Sequence, residues 1–364
     1  MTGLDRKKDD EIIEVLRMMA PGTSLREGLD NILLARTGAL IVIGDSEKVL
    51  SLVDGGFYIN KDYTPAHIYE LAKMDGAIIL SKDLKKILYA NALLVPDTSI
   101  PTAETGTRHK TADRVAKQTG EVVVSISQRR NIITIYMGSR KYILRETPVI
   151  LAEANQALQT LEKYKVALVE AINNLNILEI EDIVTLDDVA FVLQRTEMLM
   201  RVAAEIERYI SELGSEGRLI SLQLDELLTN VDADELFIIE DYAIRTDLRS
   251  DEILEKLRQL SYDELMNLVN ICSILGYSPN ADAFEMVISP RGYRLLSKIP
   301  RVPVNIIRNL VEKFSNLQGI LNASIEELDD VAGIGEVRAR IIWDGLRRVQ
   351  EQIFLDSRKL QVTR

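Results

Sequence analysis

The sequence predicts a multidomain protein, in which an N-terminal α/β domain with a mixed central sheet precedes an all-α helical spine and a C-terminal helix-hairpin-helix domain. Three observations predict this fold class. Short β-rich runs alternate with helical patterns up to about residue 145, residues 149–213 contain neither glycine nor proline, and a Gly-Ile-Gly turn separates two helical patterns near the C-terminus. The 364 residues suffice for two or three domains. We expect these domains at residues 1–145, 146–288 and 289–364.

The alternating pattern of the first domain predicts six strands and four helices. Apolar and β-branched runs bounded by turn residues predict the strands, which are Ala39–Ile43, Gly76–Ser81, Lys86–Val95, Glu121–Ser127, Ile132–Gly138 and Lys141–Arg145. Helical spacing predicts the helices, which are Glu11–Met19, Ser24–Thr37, Pro65–Met74 and Arg108–Thr119. The last helix stops at Gly120, a residue type that commonly ends helices.

Residues 149–213 predict the helical spine. Leucines and other apolar residues recur near helical spacing between Leu151 and Leu175. A stripe of this kind is typical of a core or a self-association surface, and we favour that interpretation over a ligand-binding role. The spine is therefore expected to connect the two ends of the chain and to support oligomers.

Composition excludes several classes of protein. Cys272 is the only cysteine, and the two histidines are His67 and His109, so one chain builds neither a disulfide framework nor a Cys/His zinc cage. Any metal is therefore expected on oxygen ligands. Apolar stretches fall short of the roughly 18 residues of a membrane helix, and the N-terminus is charged, so a cytoplasmic location without membrane contact is expected.

The segment Thr107–Thr111, read TRHKT, follows a loop that contains proline and glycine and begins a predicted helix. Unpaired N–H groups, the positive end of the helix dipole and three basic side chains converge there, which favours binding of a triphosphate. Arg108 and Lys110 would neutralise phosphate charge, and His109 would position a phosphate oxygen. The alternative is an exposed basic helix start without a ligand.

Asp75 lies between a predicted helix and a predicted strand, and Gly76 and Ala77 follow it. Glycine lets the backbone approach a ligand closely, alanine leaves space, and a carboxylate at this place can hold magnesium beside a phosphate. The alternative is a turn aspartate that bonds its own backbone.

The C-terminal zone has a basic bias and a turn suited to DNA. Residues 289–350 carry ten Lys/Arg and seven Asp/Glu, a net +3 in a chain whose net charge is -12. Gly333 and Gly335 flank Ile334 between two helical patterns, so backbone N–H groups can face a phosphate, and Arg338 and Arg340 follow in the second helix. Such contacts position a protein on DNA without reading base sequence. A small helical bundle used for protein contact is the alternative.

An earlier stretch, IPRVPVNIIRNLVEKF, predicts a degenerate first hairpin. A tandem pair of hairpins would span a duplex backbone, and shape rather than sequence would be the feature recognised. Trp343 is interpreted as a core residue.

Five segments carry a resemblance to a known family: APGTSLREGL, VDGGFYIN, ELAKMDGAIILS, ETGTRHKTADRVAKQTG and SPRGYRLLSKIPR. In their order and spacing the chain resembles the DNA integrity scanning family of diadenylate cyclases. The family's Asp-Gly-Ala and Arg-His-Arg motifs correspond to Asp75–Ala77 and to Arg108–Lys110 in this chain. Lys110 replaces the last arginine of the motif, which keeps the charge but loses the bidentate fork.

The resemblance implies that two ATP molecules, each bound to one of two facing domains, are joined into cyclic di-AMP with Mg²⁺ or Mn²⁺. It implies roles for Asp75 in holding the metal and the attacking hydroxyl, and for Thr107–Thr111 at the phosphates. Gly76, Ala77 and Leu94 are expected at the adenosine, with Ser127 and Arg130 as further candidates; the alternative for Leu94 is a plain core leucine.

The resemblance further implies a homo-octamer of facing tetramers and binding of branched or damaged DNA that lowers synthesis. It also implies association with the bacterial nucleoid and with recombination or repair proteins. Two other functions remain open from the sequence. One is a DNA-binding scaffold with a non-catalytic nucleotide site, supported only by Lys110. The other is a nucleotidyltransferase that acts on a different acceptor and needs no paired domains.

Overall fold

The computed structural model describes residues 3–244, 247–278 and 285–362, with side chains described from residue 11 to residue 355 within these ranges. The chain divides into two compact units, one formed by residues up to 155 with 207–221, the other by residues 156–206 with those from 222 onward. The expected domain boundaries after residues 145 and 288 stay a prediction, because two compact units do not define them. Within the described residues, no helix combines the length and the apolarity that crossing a membrane requires.

The N-terminal unit alternates helices and strands, as the sequence predicts. Its helices are α1 (Gly3–Met18), α2 (Ser24–Leu34), α3 (Glu47–Leu50), α4 (Pro65–Leu71) and α5 (Thr107–Thr119). Its strands are β1 (Ala39–Ile43), β2 (Val53–Asp54), β3 (Phe57–Asp62), β4 (Ala77–Leu80), β5 (Lys86–Leu94), β6 (Val122–Ser127), β7 (Ile132–Met137) and β8 (Arg140–Ile143). The sequence did not predict α3, β2 and β3. The other predicted elements are confirmed, with ends that differ by at most three residues except that α1 begins eight residues before the predicted Glu11.

In the described part of this unit the strands form one mixed sheet in the order β2-β5-β4-β1-β6-β7-β8, and β3 also pairs with β5. Strands β1 and β4 are parallel, and the other pairs are antiparallel. The predicted α/β domain with a mixed central sheet is therefore confirmed.

Each face of the sheet carries its own apolar core, because side chains alternate along a strand. Ile41 and Ile43 of β1 point to one face, where they join a cluster with buried residues of α1, α2 and α4. Leu40 and Val42 point to the other face and pack with Val115 and other residues of α5. Helix α5 is thus fixed against the sheet along its apolar side, which determines where its first turn lies.

Local signals fix the ends of these helices. The Thr23 side chain accepts a hydrogen bond from the Arg26 N–H at 3.2 Å and caps α2. Gly120 ends α5 in the left-handed conformation, with φ +79°, and its N–H donates to the Ala116 carbonyl at 2.9 Å. The C-cap that the sequence predicts at Gly120 is therefore confirmed.

The remaining elements are helical, and most of them belong to the second unit. They are α6 (Thr147–Glu181), α7 (Leu186–Leu213), a 3₁₀ turn (Gly214–Gly217), α8 (Arg218–Leu228), α9 (Val231–Tyr242), α10 (Ser250–Gln259), α11 (Tyr262–Met266), α12 (Leu268–Leu275), α13 (Tyr293–Ser297), α14 (Val304–Phe314), α15 (Leu317–Leu321), α16 (Ile325–Asp329) and α17 (Glu336–Val362). The predicted spine is helical but interrupted, because Asp182 adopts φ +56° between α6 and α7.

A buried ionic cluster joins α13 to α6 and α9. The Arg294 side chain is 0% exposed and donates to Glu179 Oε2 at 2.6 Å and to Asn176 Oδ1 at 2.8 Å. The Asp241 carboxylate accepts from the N–H groups of Gly292, Tyr293 and Arg294 at 2.6–3.1 Å. Because burial and the nearby Glu179 charge outweigh these donors, the pKa of Asp241 rises to about 7. The first helix of the C-terminal segment is thereby anchored from within the core.

Candidate functional site

Strand pairing brings the two predicted motifs to one edge of the sheet. Because β1 and β4 are parallel, with Leu40 opposite Ala77, their N-terminal ends lie at the same edge. The antiparallel neighbours β5 and β6 end there, so Leu94 and Ser127 lie at this edge too. We call this the motif edge; it carries Asp75, which directly precedes β4.

Gly76 holds Asp75 close to the neighbouring strand. Its φ is +96°, and a Cβ at this position would lie 2.8 Å from the carbonyl carbon of Asn91 and 3.0 Å from the Ala92 oxygen. These are backbone atoms, so no side chain fits. Asp75 is exposed to solvent and Ala77 is buried in the core. The backbone beside Asp75 is therefore held by packing, and the Asp75 side chain is open to a ligand.

The TRHKT segment forms the first turn of α5, as the sequence predicts. Thr107 is the first helical residue, and the Lys110 N–H donates to the Gly106 carbonyl at 2.8 Å. The N–H groups before Lys110 have no acceptor within the helix. Thr107 and Lys110 are exposed, whereas Arg108 and His109 are half-buried. The turn thus presents N–H groups and basic side chains together.

Arg108 reaches the motif edge through a gap left by Gly38. A Cβ placed on Gly38 would lie 1.9 Å from a terminal guanidinium nitrogen of Arg108 and 3.2 Å from the Ile126 carbonyl oxygen. The guanidinium therefore lies over the start of β1 and the end of β6. Sequence reasoning missed Gly38, because nothing along the chain links it to a residue 70 positions later.

His109 contacts a polar group in the core beneath α5. Its Nδ1 lies 2.9 Å from the hydroxyl of Tyr136, a fully buried residue of β7. Burial, together with the charges of Lys141, Arg130 and Arg108, holds the pKa of His109 below its usual value, although Glu104 opposes this. No pattern along the chain singles out Tyr136 or Glu104.

The other candidate residues lie on the same side of the unit with different exposure. Leu94 is buried, 6% exposed, within the core on the α5 face, which is the environment of a core leucine. Ser127 ends β6, and its Oγ accepts from the Arg130 N–H at 3.3 Å. Arg130 is exposed in this turn, and Thr111 is half-buried one turn into α5.

The residues at the motif edge fit a divalent cation that is held mainly by a nucleotide. Within residues 3–244, 247–278 and 285–362, no group of three His, Cys, Asp or Glu side chains forms a ready cage. Mg²⁺ commonly uses one or two carboxylates together with substrate phosphates. Asp75, an exposed carboxylate at the motif edge, is the residue that would supply this ligand.

The C-terminal segment contains two hairpins of the same form. Helix α13 and helix α16 are each five residues long, and each is followed by a six-residue turn and a further helix, α14 or α17. Gly333 adopts φ +81° in the second turn, and Arg301 adopts φ +67° at the equivalent place in the first. The degenerate first hairpin that the sequence predicts thus has the backbone of the second, with arginine in place of glycine.

The turn of the second hairpin is exposed and carries two arginines, beside the acidic side chains of α16. Gly333, Gly335, Arg338 and Arg340 are exposed, whereas Ile334 packs into the core of this segment. The Arg338 guanidinium donates to the Gly333 carbonyl, and Arg340 lies 3.6 Å from Glu336. The turn therefore presents backbone N–H groups beside two arginines.

The count of basic residues in this zone overstates the charge that DNA can reach. Arg294 is buried against Glu179 and is unavailable to a ligand. Trp343 packs against the core, as predicted, and also carries the Arg347 guanidinium 3.7 Å from its ring centre. The accessible basic surface is consequently concentrated in α17 and the hairpins.

Family models match most of the chain. Residues 26–141 match the model described as "DisA bacterial checkpoint controller nucleotide-binding", and residues 144–284 match the corresponding linker region. A DNA integrity scanning protein DisA from Clostridium kluyveri is 59% identical over 97% of this chain and 99% of that protein. The chain belongs to the DisA family. The expected family resemblance is therefore confirmed.

Other DisA proteins match equally fully. The one from Clostridium botulinum strain Loch Maree is 58% identical over 96% of this chain and 99% of its own length. A crystal structure of DacA from Staphylococcus aureus is 19% identical, with a TM-score of 0.29, over 38% of this chain and 90% of that one. The DisA nucleotide-binding model covers Asp75–Ala77 and Arg108–Lys110, so the motif edge lies inside the nucleotide-binding region of the family.

Proposed function

We propose that the chain is a diadenylate cyclase, which condenses two ATP molecules into cyclic di-AMP and two pyrophosphates. The observation that carries this proposal is the motif edge. Asp75–Ala77 and the guanidinium of Arg108 both lie there, inside the region matched by the DisA nucleotide-binding model. A carboxylate beside cationic and N–H donors is the arrangement that phosphoryl transfer requires, because its catalysis rests on positioning and charge stabilisation.

In each of two steps, the ribose 3'-hydroxyl of one ATP attacks the α-phosphorus of the other. A new P–O bond forms, the bond to pyrophosphate breaks, and the Asp75 carboxylate accepts the proton of the hydroxyl. Asp75 orients this hydroxyl, while Arg108, Lys110 and the N–H groups of the first turn of α5 hold the phosphates. A bound Mg²⁺ or Mn²⁺ would supply Lewis acidity at the phosphates.

The reaction requires two chains, because each motif edge holds one ATP and the two nucleotides must face each other. Leu93 and Val95 support such pairing, since these apolar side chains are 60% and 55% exposed beside the end of β5. We extend the proposal to an octamer of facing tetramers. A nucleotidyltransferase with another acceptor would instead keep its specific activity on dilution to monomers.

The direct test is incubation of the purified chain with ATP and either Mg²⁺ or Mn²⁺, followed by chromatography with mass detection. We expect cyclic di-AMP and two equivalents of pyrophosphate, with a specific activity that falls when the oligomer dissociates. Intact ATP under both metals, together with retained DNA binding, would favour the scaffold function and make Lys110 the first residue to convert to arginine.

We further propose that the two hairpins bind DNA, preferentially at branched structures, and that this binding lowers cyclase activity in the bacterial cytoplasm, at the nucleoid and beside repair proteins. The support is the repeated hairpin backbone, with exposed Gly333 and Gly335 beside Arg338 and Arg340. The printed name of the relatives, DNA integrity scanning protein, agrees with this role. Adding a four-way junction to the cyclase assay, against linear duplex of equal length, tests the regulatory effect.

Replacing Arg340 with alanine should weaken DNA binding to a similar extent for unrelated sequences. It should also lower the slope of log affinity against log salt by about one, because one phosphate contact is lost. Fluorescence anisotropy at several salt concentrations measures both effects. Lys256→Ala is the matched control, since it removes the same charge from exposed α10. Equal slopes for the two variants would exclude Arg340 from the DNA contact.

Replacing Gly38 with alanine should raise the KM for ATP about tenfold by displacing Arg108, since a charged hydrogen bond contributes roughly 1.5–3 kcal/mol. Stability should fall only slightly, because the severe clash is with the end of a flexible side chain, the Ile126 carbonyl oxygen at 3.2 Å must shift by only a few tenths of an ångström, and Gly38 has no positive φ. Steady-state kinetics and thermal unfolding measure the two effects. Arg108→Ala supplies the control: adding Gly38→Ala to it should have no further effect on KM, and an additive effect would contradict the mechanism.

A further inference from the structure

His109, Tyr136 and Glu104 form a polar chain that ends at a lysine. His109 Nδ1 lies 2.9 Å from the Tyr136 hydroxyl, with the two rings edge to face at 62°. Burial and the neighbouring Glu104 carboxylate raise the pKa of Tyr136, so this carboxylate lies near the Tyr136 hydroxyl. Lys141 Nζ donates to Glu104 Oε1 at 2.6 Å. This series of polar side chains thus runs from the first turn of α5, through the core, to β8.

The position of Tyr136 makes this chain rigid. Tyr136 is 0% exposed and packs on the α5 face of the sheet beside Val115 and Val123. It lies opposite Val123 on β6 and Lys141 on β8, so its backbone is held from both sides. A hydroxyl in such a place must have a hydrogen-bond partner, since a buried unpaired polar group is costly. Its orientation is therefore set by the groups at its two contacts.

The charge of Glu104 determines which groups donate and which accept between Glu104, Tyr136 and His109. Burial alone would raise the pKa of Glu104, but the hydrogen bond and the charge of Lys141 bring that pKa below its ordinary value. Glu104 is then ionised at neutral pH, and an ionised carboxylate only accepts hydrogen bonds. Tyr136 has one hydroxyl hydrogen, and the nearby anionic carboxylate of Glu104 attracts it more strongly than a neutral imidazole does. Its oxygen is left to accept, so the hydrogen between Tyr136 and His109 belongs to His109 Nδ1.

We propose that Tyr136 and Glu104 are positioning residues that hold His109 with its hydrogen on Nδ1, so that Nε2 is the ring atom presented to the nucleotide phosphates. This inference rests on the proposed function for the role of His109, but the tautomer itself does not. In a neutral histidine, the hydrogen bond made by one ring nitrogen determines which of the two nitrogens carries the hydrogen. Because Nδ1 is occupied by Tyr136, Nε2 is the ring nitrogen left to contact a phosphate oxygen.

The groups around His109 also determine its charge state. Arg108, Arg130 and Lys141 disfavour the protonated ring, whereas Glu104 favours it, and Asp113 lies near Tyr136. The pKa of His109 is held below its usual value, so the ring is mostly neutral at pH 7 when no nucleotide is bound. A triphosphate adds negative charge and should raise this pKa, which lets Nε2 gain a proton from solvent and donate to a phosphate oxygen.

The first experiment reads the tautomer without any need for turnover. His67 and His109 are the only histidines, so a His67→Gln chain with ¹⁵N-labelled histidine reports His109 alone. Magic-angle-spinning NMR of the sedimented full-length protein, without nucleotide and above the pKa of the ring, should show hydrogen on Nδ1. Tyr136→Phe should remove this preference. Hydrogen on Nε2 in the parent, or an unchanged spectrum in the variant, would overturn the proposal.

The second experiment reads the consequence for the reaction. Tyr136→Phe should lower kcat about 10- to 100-fold, as loss of an outer hydrogen-bond partner does for functional histidines in metal sites, with a KM within about threefold. Tyr142→Phe is the matched control, because Tyr142 is a tyrosine of the same sheet that donates to Glu212 at 2.8 Å. Its kcat should stay within about twofold of the parent. Equal losses in both variants would mean a general packing effect and overturn the positioning role.

The pH–rate profile gives a second test that distinguishes a positioning role of Glu104 from a packing role. Glu104→Gln keeps an acceptor for Tyr136 but removes the negative charge that favours the protonated ring. The limb of the pH–rate profile that belongs to His109 should therefore move to lower pH, while Glu104→Asp should leave it near its original place. An unmoved limb in Glu104→Gln contradicts the proposal. Absence of turnover with the expected tautomer contradicts the cyclase function instead.

Discussion

Replacing Asp75 with asparagine should lower the rate of cyclic di-AMP formation about 10³-fold. Asparagine keeps the shape of the side chain but can neither hold a divalent cation by charge nor accept a proton from the attacking hydroxyl. Binding of ATP should stay within about threefold of the parent, because Arg108, Lys110 and the N–H groups of α5 still meet the phosphates. The effect should thus appear in kcat, measured by product formation at saturating ATP.

The chain offers a matched control for this variant. Asp45 is also an exposed aspartate next to a strand, but it follows β1 and so lies at the opposite edge of the sheet from Asp75. Asp45→Asn should leave kcat within about twofold of the parent. If Asp75→Asn keeps more than a tenth of the parent rate, the carboxylate does not perform the role assigned to it, and the turn-aspartate interpretation is the better one.

The sequence predicted most of the N-terminal sheet because its inner strands are continuous apolar runs. Ala39–Ile43 is buried at every position, and such a run has a strong signal. Strand β3 was missed because Phe57–Asp62 has no buried position, so neither alternation nor a continuous apolar run marks it. The break between α6 and α7 was missed because Asp182, rather than glycine or proline, adopts the positive φ there.

The candidate site was predicted in its motifs but not in its supporting contacts. Asp75 and Arg108 stand out because their neighbours in the chain complete short motifs, Asp75–Ala77 and Thr107–Thr111. Gly38 and Tyr136 act through contacts across the sheet, and each is an ordinary residue in its own local sequence. Only strand register determines such contacts, and register is not visible from spacing along the chain.

Replacing Arg294 with methionine should destabilise the C-terminal part of the chain by about 3–5 kcal/mol. The arginine is fully buried and pairs with Glu179, which is itself 1% exposed and accepts from the Tyr242 hydroxyl at 2.7 Å. Removing the guanidinium leaves a buried carboxylate without its counter-charge, and Asn176 also loses a donor. The stability lost through the unpaired charge is therefore larger than the stability gained from packing the methionine side chain.

The fluorescence of Trp343 reports unfolding of the core next to Arg294, where this loss of stability is expected. It is the only tryptophan, and it packs in the same core as Leu296, two residues after Arg294. Urea unfolding followed by its fluorescence should report a lower midpoint for Arg294→Met with little change in slope. Arg308→Met, an exposed arginine of α14, is the matched control and should change stability by less than about 0.5 kcal/mol.

A double variant distinguishes an unpaired charge from a packing defect. Replacing Arg294 and Glu179 together with methionine removes both charges, and apolar residues often substitute for a buried ion pair without loss. The double variant should recover at least half of the stability lost by Arg294→Met, whereas a packing defect would make the two losses add. Additive losses would therefore contradict the electrostatic explanation. Recovery would show that the loss in Arg294→Met comes from leaving the buried Glu179 charge unpaired, and that apolar packing can anchor α13 once both charges are removed.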